Sequence, residues 1–402
     1  MEEESKNKTP PLAGRRLVAI GDDYADENKI RILFVIATLD RAGAESQLTY
    51  LATHLNRERF YPFVAALTRG GPSEEPLKAA GVQYRILGKR FKLDFYCIRR
   101  LRNLMHQKDF HIVHTWLFTS NAFGRAAAIR AKVPVIIASE RCEDPWKTFI
   151  HKAIDRRLAR RTSAVVANAQ AVKRFYVKRI GIARDLITVI PNGIEEPVAP
   201  KIDRSKLRQE LGVPEGALVV GTVARLSKQK GLKWLLRALF IVREVLPETF
   251  LLIVGEGEER VRLEHLARAL KVEKQVKFLG ERADVPAILQ VLDCFVLSSL
   301  WEGMPNSILE AQAAGVPVVT TDAGGAPELV SHLETGIVVP KSDPLALGHA
   351  ILKMLLYPDK ARKMAQRAKR RIADFTIEKM VKRYEDLYLR LWEKYEPNEQ
   401  DG

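Results

Sequence analysis

Residues 294–320 read CFVLSSLWEGMPNSILEAQAAGVPVVT. Cys294–Leu297 is a short apolar run of strand length, and a Gly/Pro-containing loop follows it. Ser307–Gly315 has a helical pattern that ends on a glycine, and Val318–Thr320 is apolar again. A strand, a helix and a second strand in so short a span form a parallel crossover, because the helix carries the chain back to the same end of the sheet. Glu302 falls in the loop, and Glu310 falls eight residues later within the helix.

The same alternation extends in both directions. Downstream of Lys29, strands are expected at Ile30–Ala37, Phe63–Leu67, Tyr84–Leu87, Ile112–His114, Val135–Ala138, Ala164–Ala167 and Ile187–Ile190, with helices between them. Pro191–Asp203 holds three prolines and no periodic pattern, which marks a linker. Strands resume at Leu218–Val223, Phe250–Val254, Val276–Phe278, Cys294–Leu297, Val318–Thr320 and Gly336–Val338. Three helical stretches close the chain: Leu345–Leu356, Asp359–Ala373 and Thr376–Tyr395. Residues 1–28 are expected to be a loose extension whose LVAI run, residues 17–20, could add a strand.

The fold class is therefore α/β, with two doubly wound parallel-sheet domains over 29–195 and 196–375. Both faces of each sheet are covered, as continuous apolar strands require. Ligands of such sheets bind at the carboxyl ends of the strands, so two domains joined by one linker create a cleft between those ends.

The 402 residues suit two domains, and the 47% hydrophobic content supplies two cores. The net charge is +16. Residues 1–200 carry 34 Lys+Arg against 21 Asp+Glu, so most of the excess lies in the first half. Its densest runs lie within 85–102 and 156–179. Such a surface attracts polyanions, and an anionic membrane is the favoured one; solvated helix faces are the plainer alternative, and no nucleic-acid partner is expected. Cys97, Cys142 and Cys294 have no metal or redox spacing and suit a reducing compartment. With no apolar run of spanning length and no apolar signal core in MEEESKNKTPP, a cytoplasmic location is expected, with the inner face of the plasma membrane as the place its basic charge suits.

Two carboxylates beside a helix start suit the recognition of vicinal hydroxyls, since an ionised acceptor binds them more strongly than a neutral one. On their own, two glutamates eight apart are more often structural. The surrounding residues decide the matter. Glu302-Gly-Met-Pro-Asn-Ser-Ile-Leu-Glu310 followed by AGVPVVTTDAGGAPELV resembles the donor-binding domain of retaining glycosyltransferases of family 4, which have the GT-B fold. Val223-Ala-Arg-Leu-Ser-Lys-Gln-Lys-Gly231, Ile253-Val-Gly-Glu-Gly257 and Val276-Lys-Phe-Leu-Gly280 match as well. Ala42-Gly-Ala-Glu45 and Ile190-Pro-Asn-Gly-Ile194 extend the likeness over roughly residues 30–375.

The resemblance implies a transferase that moves a sugar from a nucleotide-sugar to a saccharide or lipid-linked saccharide acceptor, in synthesis of cell-surface polysaccharide or lipopolysaccharide type. Arg225 and Lys230 would face the diphosphate, where charge grows as the nucleotide leaves. Glu310 would hold the ribose and Glu302 the sugar. Gly255, Arg282 and the backbone of Gly303, Met304 and Asn306 would complete the donor site. Gly43 would approach the phosphates, although relatives carry Gly-Gly-Ala-Glu where this chain has Ala42.

On the acceptor side stand His114, Trp116 and Arg141. Many relatives carry His-x-His where this chain has His114-Thr-Trp116, so His114 is either a cleft residue orienting the reacting groups or a satisfied core histidine. Neither a metal nor another cofactor is expected, with Arg225 and Lys230 serving in a metal's place. The helix 376–395 is expected to cross back to the first domain. The alternatives are a nucleotide-sugar epimerase or hydrolase of the same fold, or a non-catalytic sugar-nucleotide-binding protein.

Overall fold

In the computed structural model, which describes residues 28–91, 94–195 and 202–395, the chain forms two all-parallel sheets. The first holds β1 (Ile30–Thr38), β2 (Phe60–Arg69), β3 (Gln83–Ile86), β4 (Ile112–Trp116), β5 (Val135–Glu140), β6 (Ala164–Ala167) and β7 (Ile187–Val189). Its order is β3-β2-β1-β4-β5-β6-β7. The second holds β8 (Leu218–Val223), β9 (Thr249–Val254), β10 (Val276–Gly280), β11 (Cys294–Leu297), β12 (Val318–Thr321) and β13 (Ile337–Val339), in the order β10-β9-β8-β11-β12-β13. The expected extension 1–28, with its LVAI run, lies outside the described residues apart from Asn28.

Alternation along the strands explains the double covering. Phe34 and Ile36 of β1 pack with Leu48 and Leu51 of the helix Gly43–His54. Leu33 and Val35 point the other way, toward Leu101 and Leu104 of the helix Phe95–Lys108. A strand buried on both faces has no polar side to show, hence the unbroken apolar runs.

The last helix, Ile377–Glu393, leaves the second domain and packs on the first. Met380, Val381, Tyr384, Leu387 and Tyr388 form its apolar stripe and join the core built on Phe34 and Phe60. Thr376 caps it by accepting a hydrogen bond from the Lys379 amide at 3.3 Å. The helix between β5 and β6 begins at Phe149, because Thr148 and His151 cap each other's backbone there and fix the start.

The two chain crossings between the domains run side by side. The Ile194 amide donates to Phe375 O at 2.8 Å, and the Ile377 amide donates to Ile194 O at 3.3 Å. Gln47 clamps the crossing: its Nε2 donates to Gly193 O at 2.7 Å, and its Oε1 accepts from the Gly193 amide at 2.9 Å.

Strand order reverses between β1 and β4 in one sheet and between β8 and β11 in the other. At such a point adjacent loops diverge and leave a crevice. The two crevices face each other across a cleft of about 2540 Å³.

Candidate active site

The second-domain wall begins with the turn after β8. Ala224 and Leu226 are held by the loop after β9, through bonds from their amides to Val254 O at 3.0 Å and Glu256 O at 2.8 Å. Gly255, at φ +127°, makes this possible: a Cβ there would lie 2.2 Å from Ala224 O. The turn then closes on Gly231, at φ +59°, where a Cβ would meet Ser298 O at 2.3 Å. The loops after β8 and β11 are thereby laced together, with the Leu300 amide donating to Gln229 O at 2.8 Å and Ser298 Oγ donating to Lys230 O at 3.0 Å.

This lacing brings Lys230 onto Glu302. Lys230 Nζ lies 2.6 Å from Glu302 Oε1, and Ser299 Oγ donates to the same oxygen at 2.6 Å. Arg225 takes a different position. It is largely exposed and pairs with Glu258 at 3.2 Å, while still lining the cleft. Arg282 also lines the cleft, with its guanidinium forked onto Asp284 at 2.7 and 2.8 Å.

Glu310 projects from the helix Asn306–Ala313 into the cleft. Burial holds its carboxyl above the usual carboxylate range. From the opposite wall comes Tyr50, whose phenol is pushed up to about 12 by burial, with the nearby carboxylates Glu195 and Glu310 adding to the shift.

Gly303 is where the walls meet. It forms an antiparallel bridge with Cys142 of the first domain. A Cβ on Gly303 would lie 1.8 Å from Arg141 O, so only glycine allows this approach. Met304 O accepts from Asn192 Nδ2 at 3.0 Å, and Asn306 Oδ1 accepts from the same nitrogen at 2.6 Å. Gly43 opens the helix after β1 and lines the cleft opposite. A Cβ on it would meet only Asn306 Nδ2, at 3.6 Å, so the protein's own packing does not require glycine there.

Arg141 is buried yet reaches the cleft lining. It donates to Asn192 Oδ1 and, at 3.2 Å, to the Tyr384 hydroxyl, and it lies over the Trp116 ring at 4.7 Å. An Arg141–Asn192–Asn306 chain thus crosses from one domain to the other.

Two expected residues are corrected. His114 and Trp116 do not line the cleft; both are fully buried in the first-domain core. The return helix is the cause, because it covers β4. His114 Nδ1 bonds the Tyr388 hydroxyl at 2.7 Å, and Nε2 bonds Ser139 Oγ at 2.8 Å. Burial, aided by the Arg141 charge, holds the imidazole well below its usual range, so it stays neutral. Of the two readings of His114, the core histidine is the one observed. Trp116 serves as the floor beneath Arg141 and Tyr384.

Four contributors were not legible as site residues in the sequence. Ser299 lies just before the recognised motif. Asn192 was assigned to the linker. Asp144 and Trp146 frame a small pocket of about 220 Å³ with Thr119, Arg141 and Cys142, adjoining the main cleft. The Cys142 and Gly303 bridge marks its boundary, and that pairing leaves no trace in local sequence.

Against this geometry stand the similarities to known proteins. Residues 203–371 match the model described as Glycosyl transferases group 1, and residues 41–196 match Glycosyltransferase Family 4. An Escherichia coli relative, UDP-Gal:alpha-D-GlcNAc-diphosphoundecaprenol alpha-1,3-galactosyltransferase, is 30% identical over 74% of this chain and 79% of its own. The Bacillus anthracis N-acetyl-alpha-D-glucosaminyl L-malate synthase is 32% identical over 51% and 54% of the respective chains. Among solved structures, Anabaena HepE in complex with UDP-glucose is similar at TM-score 0.81 and 26% identity, covering 90% of this chain and 99% of that one.

Proposed function

Since the chain belongs to the family 4, group 1 glycosyltransferases of GT-B fold, we propose that it moves a sugar, with retained configuration, from a nucleotide-sugar on the second domain to a saccharide or lipid-linked saccharide on the first. The observation that carries this reading is the joining of a cation and an acid, Lys230 and Glu302, at the second sheet's switch point, in the cleft that Gly43 also lines. Support for a uridine diphosphate donor comes from the names of the E. coli relative and the HepE complex.

In this reading the donor diphosphate draws Lys230 and Arg225 away from Glu302 and Glu258. Glu302, released, accepts hydroxyls of the sugar, and Glu310 accepts those of the ribose. As the sugar–phosphate bond breaks, charge on the leaving diphosphate is met by the two cations, which act in place of a divalent metal. The acceptor hydroxyl attacks on the face the nucleotide leaves, and a donor phosphate oxygen takes its proton. The acceptor lies toward Arg141, Asp144 and Trp146: an indole face and a carboxylate suit a sugar's apolar face and its hydroxyls. A site in cell-surface polysaccharide or lipopolysaccharide synthesis follows from such an acceptor.

Thermal shift with UDP-, GDP- and ADP-sugars, with and without a chelator, tests the donor. A UDP-sugar at about 100 times its Kd adds about 2.7 kcal/mol of stability by mass action, and chelation leaves the shift in place. If no sugar nucleotide raises the melting temperature, the reading fails.

A further inference from the structure

Exposed apolar side chains gather on one part of the first domain. Phe95 and Tyr96, at the start of the helix Phe95–Lys108, are 72% and 77% exposed, and Phe91 just before them is also exposed. Phe149 and Ile150, at the start of the helix Phe149–Ala159, are 79% and 55% exposed, with Trp146 exposed ahead of them. Aromatic side chains are costly to leave in water, and a cluster of them signals a surface that meets something apolar.

The two groups belong to one face. The helices that carry them flank a third, Leu117–Ala131, which packs against both. Each of the three helices follows a strand of the parallel sheet, so each begins at the strands' carboxyl end, the same end as the cleft. Lys89 above the Phe123 ring, at 5.0 Å, ties the strand-side loop to this middle helix.

The exposed charge on the two helices is basic, although Asp144 accepts from the Trp146 indole at 3.1 Å. The helix Phe95–Lys108 contains no acidic residue, and Arg99 and Arg100 are exposed on it. The helix Phe149–Ala159 has a single acid, Asp155, turned inward to Arg125 and Lys147 at 2.8 Å each. On the exposed side, Ile150 and Ile154 are continued at helical spacing by Arg157, and Phe149 by Arg156. Arg160 and Arg161, together with Lys178 and Arg179, prolong the basic strip. Such a helix, apolar in its first turn and basic thereafter, with no outward acid, has the makeup of an interfacial segment.

We propose that this face docks on an anionic lipid bilayer. Phe95, Tyr96, Phe149 and Ile150 enter the headgroup boundary, and Arg99, Arg156 and Arg157 meet the lipid phosphates. The cleft mouth is then held at the membrane surface, where an acceptor on a lipid carrier is delivered to the Trp146 pocket. This last point rests on the sugar-transfer reading; the docking itself does not.

Flotation of the full chain with phosphatidylcholine vesicles, with or without phosphatidylglycerol, tests it. The wild type floats with the anionic vesicles, and added salt releases it. Phe149→Ser with Ile150→Ser lowers partitioning about tenfold or more, and Arg156→Glu with Arg157→Glu removes the preference for phosphatidylglycerol. Phe95→Ser with Tyr96→Ser is the independent check on the second helix. All three variants keep the wild-type thermal shift with UDP, which reports folding and the donor site.

The proposal is overturned if the wild type stays unbound, if the variants float as it does, or if they only convert a larger species to a smaller one in light scattering, since the face then joins copies of the chain. A UDP shift without flotation sinks the docking and leaves the transfer reading standing. Flotation without any nucleotide response does the reverse.

Discussion

Lys230 and Glu302 are each other's partner, at 2.6 Å, with side chains only 19% and 6% exposed. Sequence reading gave them separate duties, the phosphates for one and the sugar for the other. The structure holds the cation and the acid together as one pair. Removing either member of a poorly solvated pair leaves the other uncompensated.

Glu302→Gln retains the shape and the Ser299 contact but discharges the pair. The expected loss in kcat is about 10²- to 10³-fold, the range for one deleted transition-state contact. Lys230→Ala is expected to lose a similar amount. The double variant should lose far less than the product of the two, because both act as one unit. Rates that multiply independently would separate the two roles.

Gly303→Ala forces a methyl to 1.8 Å from Arg141 O and 2.9 Å from Asn168 Nδ2. Neither neighbour is free to retreat, since Asn168 Nδ2 itself bonds Arg141 O. The domains should part, at a cost of about 1–3 kcal/mol for an overpacked contact. Small-angle scattering would register a larger radius of gyration, while circular dichroism keeps both domains' signals. An unaltered radius with full activity would show that the bridge is incidental.

Glu310→Gln should trade affinity for stability. Because burial raises this carboxyl, the wild type loses stability as pH climbs through the ordinary carboxylate value of 4.5 toward the folded one. The amide has no such loss, so the variant melts higher at neutral pH. UDP affinity should fall about 10- to 100-fold with the missing charged acceptor. Scanning calorimetry checks the melting and calorimetric titration the affinity, and unchanged affinity would make Glu310 a bystander.

Tyr388→Phe deprives the buried His114 Nδ1 of its partner. The expected cost is about 1–3 kcal/mol of unfolding free energy, with donor KM unchanged. His114 is held neutral in the fold but takes up a proton when unfolded, so its contribution to stability is lost as pH falls below the ordinary value of 6.5. Denaturant titrations across that range would show the decline. A changed donor KM would return His114 to the reacting groups.

Much of the fold was open to sequence reading because strand and helix leave local periodicities. The run around Cys294–Leu297 reads as a strand wherever it occurs, and Gly315 ends its helix by backbone preference alone. That Arg225, Lys230, Glu302 and Glu310 line one cleft was equally legible, since they sit on loops and a helix that follow the strand ends. His114 and Trp116 were misplaced for the opposite reason. What covers them is Tyr384 and Tyr388, more than 260 residues away in the chain, and no local pattern announces that contact.

The order of apolar and polar residues alone determined that this chain makes two parallel-sheet domains with a cleft at the strand ends, because burial on both faces of a sheet demands that order. Tertiary structure decided which side chains share the cleft. Gly303 against Arg141, Lys230 on Glu302 and the inward turn of Asp155 depend on two domains and a returning helix meeting at ångström range. Such distances are fixed by packing, which is a property of the whole chain and of no segment of it.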